Sequence, residues 1–285
     1  MKQNLYNIVT DKIIAQLEKG VVPWKKGWVG GDLPKNFITK KPYRGVNVWL
    51  LAMNDFSSEY WLTFNQCRKK GGSVKKGEKS TMVIFWNFIE VKDKDDEDEV
   101  KKIPMLRYYN VFNVEQCEGL PVPKEEASKE KIEPLAVCEK VVAEYKGKPA
   151  ILGATSPQYK PLSDTIGMPN KDKFLSAIEY YAALFHEMTH STGHKSRLNR
   201  EGVVGVASFG SETYSKEELV AEMGATFLHH HTGINPKKAF ENNAAYIGHW
   251  LGVLKSDNKL IVQASGQAQR AVDHILGITF DENNS

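Results

Sequence analysis

The stretch FHEMTHSTGH, at positions 185–194, decides what kind of domain the second half of this 285-residue chain forms. His186 and His190 stand four residues apart in a segment whose apolar residues recur with helical spacing. A helix presents both imidazoles on one face, where they can share a tetrahedral metal ion. Glu187 follows the first histidine, so we predict that it acts as general base in a metal-assisted hydrolysis.

The motif predicts one zinc ion per chain, held by both histidines and by a third ligand. The pattern H-E-x-x-H arises by chance in roughly 2% of chains of this composition. A plausible third ligand is therefore important evidence that the motif binds a metal. The predicted helix SKEELVAE, at positions 215–222, presents Glu218 and Glu222 on one face. This resembles the gluzincin arrangement, in which the first acid binds zinc and the second holds a ligand histidine. We therefore expect Glu218 to be the third ligand and Glu222 to hold a ligand histidine by its other ring nitrogen.

Three residues remain alternatives as the third ligand. His194 lies one turn beyond His190, but at the expected end of the helix, where it can equally cap the terminus. Glu217 points about 100° away from Glu218 on the same helix and is expected to face solvent. Glu222 is the third alternative, because it shares a helix face with Glu218.

Two further interpretations concern the surroundings of this motif. Tyr214 precedes the acidic helix and is a candidate for stabilising the oxyanion of the reaction, although a tyrosine there can also be a packing residue. If no metal binds, the motif is a helix with two histidines in a polar core or at a surface. The acidic segment is then an ordinary helix start, where carboxylates suit the helix dipole.

The first third of the chain is basic and rich in aromatic residues. Residues 1–90 hold 15 Lys or Arg against 7 Asp or Glu, whereas the whole chain has a net charge of only +3. Rings stack on unpaired bases and cations follow the phosphates, so this composition favours single-stranded nucleic acid. The alternative is that most of these aromatic rings belong to the hydrophobic core and that the lysines only make the surface soluble. The predicted DNA-binding residues are Trp24, Lys25, Lys26, Trp28, Tyr43, Arg44, Trp61, Arg68, Lys69, Lys70, Lys75 and Lys76.

Composition also bounds the class of protein and its compartment. No run of about 18 apolar residues exists, so no membrane partner is expected. The N-terminus lacks the continuous apolar core of a signal peptide, and three widely separated cysteines argue for a reducing compartment. The chain is therefore predicted to be cytoplasmic.

Three regions are predicted along the chain: a first domain over 1–120, a linker rich in Pro, Glu and Lys over 121–135, and a second domain over 136–285. In the first domain two β-type runs flank the acidic residues 93–99, which are expected to form a solvated hairpin loop. The active-site helix is predicted over 172–194.

Blocks spread over nearly the whole chain resemble the ArdC-type antirestriction proteins of plasmids and other mobile elements. They include LEKGVVPWKKGW, PKNFITKKPYRGVNVWLL, GGSVKKGEKSTMVIFW, FHEMTHSTGH and YSKEELVAEMGATFL. The N-terminal part is also similar to a region of TraC-type plasmid primases. The resemblance implies an α+β protein: an N-terminal mixed domain with a small antiparallel sheet, and a mostly helical zincin-like metallopeptidase domain with a small sheet. The resemblance to zincins further implies an extended edge strand that pairs with substrate, and the stretch through Thr165 and Ile166 is the candidate for it.

The same resemblance implies that the first domain binds single-stranded DNA and that the protein protects incoming DNA against host restriction during conjugation. His186, Glu187 and His190 carry over directly to the zincin pattern, while Glu217 and Glu222 compete with Glu218. The protein substrate of such a peptidase is unknown. Two alternatives are a non-catalytic protein that coats single strands and keeps the zincin as scaffold, and a primase accessory module.

Overall fold

The computed structural model describes residues 4–25, 33–92, 100–120, 133–205, 212–236 and 244–279. It confirms the α+β class. The helices are α1 (Leu5–Leu17), α2 (Val46–Ala52), α3 (Phe64–Lys69), α4 (Pro134–Glu144), α5 (Ala177–Ser191), α6 (Glu201–Val204), α7 (Glu212–Thr232), α8 (Ala244–Ser256) and α9 (Leu260–Leu276). The strands are β1 (Lys35–Asn36), β2 (Tyr60–Thr63), β3 (Ser73–Val74), β4 (Thr81–Lys92), β5 (Val100–Asn113), β6 (Cys117–Glu118), β7 (Ala150–Gly153), β8 (Gln158–Lys160) and β9 (Thr165–Met168).

The first half is built around a sheet of order β1-β2-β5-β4, with β3 and β6 forming a separate pair. The sheet is mixed and not purely antiparallel, because β1 runs parallel to β2. The two predicted β-type runs form the long antiparallel hairpin β4–β5. The acidic residues 93–99 between them lie outside the described residues.

The second half places a three-stranded sheet of order β7-β9-β8 beside α5. The expectation that Thr165 and Ile166 form an edge strand is wrong. They lie in β9, whose backbone is paired with β7 on one side and with β8 on the other. A strand paired on both sides has no free backbone groups for substrate, so only β7 and β8 are edges of this sheet.

The two halves share one apolar core. It joins residues of α1 and α2 to residues of α5, α7, α8 and α9. The Trp49 ring stacks on Phe227 with centroids 4.7 Å apart, and its Nε1 donates to Ser265 Oγ over 3.1 Å. The predicted linker falls largely on residues 121–132, outside the described chain. Whatever its course, the first half is packed into the core of the second.

The active-site helix is shorter than the predicted 172–194. Ser176 caps it, since its side chain accepts a hydrogen bond from the Glu179 backbone N–H over 3.3 Å. Residues 171–173 before the cap form a separate 3-10 turn. Among the described residues, no helix is long and apolar enough to cross a membrane.

Helices α5 and α7 approach very closely at Gly224. A Cβ on Gly224 would stand 2.4 Å from Thr189 Cγ2, nearer than side chains normally come. We predict that Gly224→Ala destabilises the protein by about 1–3 kcal/mol, because the helices must separate. The matched control is Gly248→Ala in α8, where nothing lies within 4 Å and alanine should stabilise by up to about 1 kcal/mol. Denaturant unfolding measures both; equal effects would contradict the close approach.

Candidate functional site

His186 and His190 lie one turn apart on α5 and face Glu218 of α7. The two Nε2 atoms are 3.1 Å apart. Glu218 places one carboxylate oxygen 3.5 Å from His186 Nε2 and the other 3.5 Å from His190 Nε2. The structure thus brings together the three predicted ligands from two helices.

These separations fit a divalent metal ion. With metal–donor distances of about 2.0–2.1 Å and tetrahedral angles, donor atoms lie about 3.3 Å apart. The Nε2–Nε2 separation of 3.1 Å and the two 3.5 Å contacts, each made by a different Glu218 oxygen, lie on either side of that value. Within the described residues, this trio is the one group of His, Cys, Asp or Glu side chains whose ligand atoms cluster this tightly. His194 is not part of it.

The electrostatics of the trio favour a positive charge between the rings. Burial alone would lower the pKa of His190, but its contacts with Glu217 and Glu218 outweigh burial and raise that pKa to about 10. Burial would raise the pKa of Glu218, yet hydrogen bonds with both histidines hold it below the ordinary value. A cation is therefore stabilised at the point where the two imidazoles converge.

The carboxylate that holds a ligand histidine by its other ring nitrogen belongs to Glu217, not to Glu222. Glu217 Oε1 lies 3.2 Å from His190 Nδ1, the ring nitrogen that faces away from the trio. Arg200 holds this carboxylate through two guanidinium nitrogens: Nη2 donates to Oε1 over 2.6 Å and Nε donates to Oε2 over 3.0 Å. The expectation that Glu217 faces solvent is wrong: its side chain is only 6% exposed, because Arg200 neutralises it inside the protein.

Arg200 reaches this position through a tight reversal after α5. The Arg200 N–H donates to the Gly193 carbonyl over 2.9 Å, and its guanidinium donates to the Thr189 carbonyl and the Thr192 hydroxyl. Helical periodicity carries no signal for such a reversal. The cue in the sequence is RLNR, at positions 197–200, in which two arginines follow shortly after the end of α5.

Glu222 and His194 have other surroundings. Glu222 Oε2 accepts a hydrogen bond from Trp24 Nε1 over 3.1 Å and one from the Tyr246 hydroxyl. His194 Nδ1 lies 2.8 Å from Ser196 Oγ and near Asp164. The predicted role of Glu222 behind a ligand histidine is therefore wrong, because α7 turns that residue toward the first half of the chain.

The two predicted catalytic side chains lie close to the trio. Glu187 is buried, at 8% exposure, on α5 between the two histidines. Tyr214 is half-buried and hydrogen-bonded to Glu218; burial, together with the negative charges of Glu218 and Glu187, raises the pKa of Tyr214 to about 12. A phenol with that pKa stays protonated at neutral pH and keeps a proton to donate.

The structure contradicts two of the predicted base-stacking residues. Trp24 is completely buried and Trp61 is 2% exposed. Trp24 packs edge-on against Trp250, and Trp61 packs against Phe56. Their faces are covered by protein, so bases cannot stack on them.

Five more predicted DNA contacts lie elsewhere or outside the described chain. Arg44 forms an ion pair with Asp273 of α9, and the Tyr43 ring packs into a small cluster on the sheet. Lys25 lines a cavity beside the metal site. Lys26 and Trp28 fall outside the described residues.

The remaining predicted cations form what we call the basic surface. It consists of Arg68, Lys69, Lys70, Lys75 and Lys76, which are all exposed on α3 and around β3. Phe64, four residues before Arg68 on α3, is 47% exposed and adds a ring that sequence reasoning did not single out.

Comparison with known proteins gives each half a class. Residues 3–112 match the model of the N-terminal domain of anti-restriction factor ArdC, and residues 138–267 match a zincin-like metallopeptidase. The class is thus a zincin-like domain preceded by an ArdC-type N-terminal domain.

Two solved structures of the antirestriction protein ArdC from the R388 plasmid are 36% identical to this chain, covering 97% of it and 98% of their own chains. The metal-free form has a TM-score of 0.77 and the Mn(II)-bound form 0.79. The chain belongs to the ArdC family of antirestriction proteins.

Curated relatives extend the similarity. Two DNA primases TraC from Escherichia coli are 34% and 32% identical over 96% and 97% of this chain. The chain spans only 20% and 27% of their lengths. The uncharacterized protein y4eC from Sinorhizobium fredii (strain NBRC 101917 / NGR234) is 31% identical, with 91% of its length covered. The likeness to TraC therefore reaches beyond the N-terminal part for which it was expected.

We predict that Glu217→Gln lowers the affinity for a divalent metal about 10- to 100-fold, because His190 loses the carboxylate that orients its ring. Glu222→Gln, a matched change five residues along α7, should leave the affinity unchanged. Competition with a chromophoric chelator measures both. A loss of affinity in Glu222→Gln with none in Glu217→Gln would restore Glu222 as the residue that orients a ligand histidine. Removing a ligand by His186→Ala should abolish stoichiometric metal in native mass spectrometry.

Proposed function

We propose that this protein is an antirestriction factor of a mobile element that binds single-stranded DNA and carries a zinc-dependent peptidase site. The observation that carries the proposal is the convergence of His186, His190 and Glu218, with Glu187 beside them on α5. Two histidines and one carboxylate leave an open coordination position, which is the catalytic form of a zinc site.

Each residue of the site has a separate role in the proposed reaction. His186, His190 and Glu218 would hold a divalent metal, which would supply Lewis acidity and lower the pKa of a water molecule. Glu187 accepts the proton of the attacking water and passes it to the leaving amine. Tyr214 donates a hydrogen bond to the oxygen that develops negative charge. Glu217 and Arg200 keep the His190 ring in place, which preserves the alignment of the other groups.

Single-stranded DNA is the proposed partner of the first half. Membership in the ArdC family and the basic surface both support it. Five exposed cations on α3 and around β3 can follow phosphates, and the exposed Phe64 ring offers one stacking face. Since Trp24 and Trp61 are core residues, we assign base stacking to exposed rings instead.

We predict that Glu187→Gln lowers peptide-bond hydrolysis by about 10²- to 10⁴-fold, because the general base is lost while the metal ligands remain. In cells, transfer of an unmodified plasmid into a restricting host should fall to the level without the protein. Native mass spectrometry must show that the variant still holds its metal. Transfer efficiency as high as with the wild type would favour the coating function, with the zincin as scaffold.

Affinity for oligo-dT should fall steeply with salt. If the five cations of the basic surface contact phosphates, the slope of log K against log salt is about −3.5 for a single strand. Changing all five to Gln should remove that slope and most of the affinity. The matched control changes five exposed lysines of the second half to Gln: Lys140, Lys146, Lys148, Lys160 and Lys195. Equal losses in both variants would mean that total charge, and not this surface, binds DNA.

A further inference from the structure

A cavity of about 1000 Å³ opens beside the metal site, between α5 and α7. Small side chains on the facing helices make room for it: Ala182 and Ala183 on α5, and Ala225 on α7. Its size is that of a pocket for a small molecule or for a few peptide side chains.

His186 belongs both to the wall of this cavity and to the metal-ligand trio. A molecule bound in the cavity is therefore in direct reach of the metal site. In a peptidase site, such a neighbouring cavity receives a part of the substrate next to the bond that is cut.

Among the described residues, the first half of the chain contributes one residue to the lining of the cavity. Lys25 lines it, and its Nζ lies 3.8 Å from the centroid of the Tyr246 ring. The preceding Trp24 anchors this segment, because its indole donates to Glu222 and its carbonyl accepts from Thr226 Oγ1 over 3.0 Å. The ammonium of Lys25 is thus positioned by buried neighbours and is not a freely moving surface charge.

The acids of the cavity wall are already engaged. Glu222 accepts hydrogen bonds from the Trp24 indole and the Tyr246 hydroxyl, and Glu179 also has a partner within the protein. Burial lowers the pKa of Lys25, and the nearby charge of Glu222 offsets only part of that effect, because the pKa stays below its ordinary value. The half-buried ammonium therefore gains from a further negative charge. The chemistry that complements it best is a carboxylate.

We propose that this cavity binds a carboxylate of the substrate through Lys25, so that the N-terminal half sets the specificity of the peptidase site. The inference rests on the proposed peptidase function. The carboxylate can come from an acidic side chain or from the C-terminus of a peptide. Either source gives Lys25 an ionic hydrogen bond, which typically changes affinity by about ten- to a hundredfold.

Three hydroxamate probes test the inference on the full, zinc-loaded chain by calorimetry. One carries a glutamyl side chain and a C-terminal amide, the second a leucyl side chain and a free C-terminal carboxylate, and the third a leucyl side chain and an amide. We expect the first or second probe to bind at least about tenfold more tightly than the third. Which of the two gains identifies the source of the carboxylate.

Variants assign the preference to one residue. Lys25→Met should remove it, and Lys25→Glu should reverse it toward a probe with a lysyl side chain. The preference should be retained in Lys173→Met, which changes the other lysine of the cavity lining, and in Lys19→Met, which changes an exposed lysine just after α1. Thermal melting of each variant checks that it is folded.

Equal binding of all three probes, or a preference that survives Lys25→Met, overturns the inference and leaves the peptidase site standing. Failure of every probe to bind the zinc-loaded chain overturns the peptidase site together with the inference. The two failures are therefore distinguishable by calorimetry alone, without a known protein substrate.

Discussion

The contact between α5 and α7 is the constraint on which the rest of the site depends. Their backbones meet where Gly224 faces Thr189, and no side chain larger than hydrogen fits there. This approach brings Glu218 within 3.5 Å of both histidine rings. A metal binds only if its donor atoms are placed to within a few tenths of an ångström. The distance between α5 and α7 is therefore as important for metal binding as the identity of the three ligands.

The buried pair of Arg200 and Glu217 extends that constraint into the loop after α5. A carboxylate buried against a ligand histidine is costly without a counter-charge, and Arg200 supplies it from a short reversal of the chain. The loop, the histidine ring and α7 are thereby held in one network. This network fixes the position of the His190 ring relative to Glu218.

The first half contributes structure to the second and not only charge. Trp49 and Trp24 are inserted among α7, α8 and α9, and Arg44 is paired with Asp273. As a result Lys25, next to Trp24, lines the cavity beside His186. The molecule is thus better described as one body with two surfaces than as a DNA-binding module tethered to a peptidase.

Much of the local structure was predictable because it is encoded over a few residues. The spacing of His186 and His190, the β4–β5 hairpin and the helix carrying Glu218 each depend on periodicity or capping within one segment. The family resemblance, spread over ordered blocks, was also readable. Wrong predictions arose where two segments meet. Composition and helix geometry predicted the wrong surroundings for four side chains, because packing between distant segments determines them: Glu217, Glu222, Trp24 and Trp61.

The sequence by itself determined that a helix presents two histidines and a glutamate in the pattern of a metallopeptidase, behind a basic aromatic segment. Only the tertiary structure decided which carboxylate stands behind His190, which tryptophans are core, and that Lys25 faces the metal-site cavity. The physical reason is that periodicity specifies which face of a helix a residue occupies. What lies against that face is determined by the packing of segments far apart in the chain, such as Trp24 against α7 and α8.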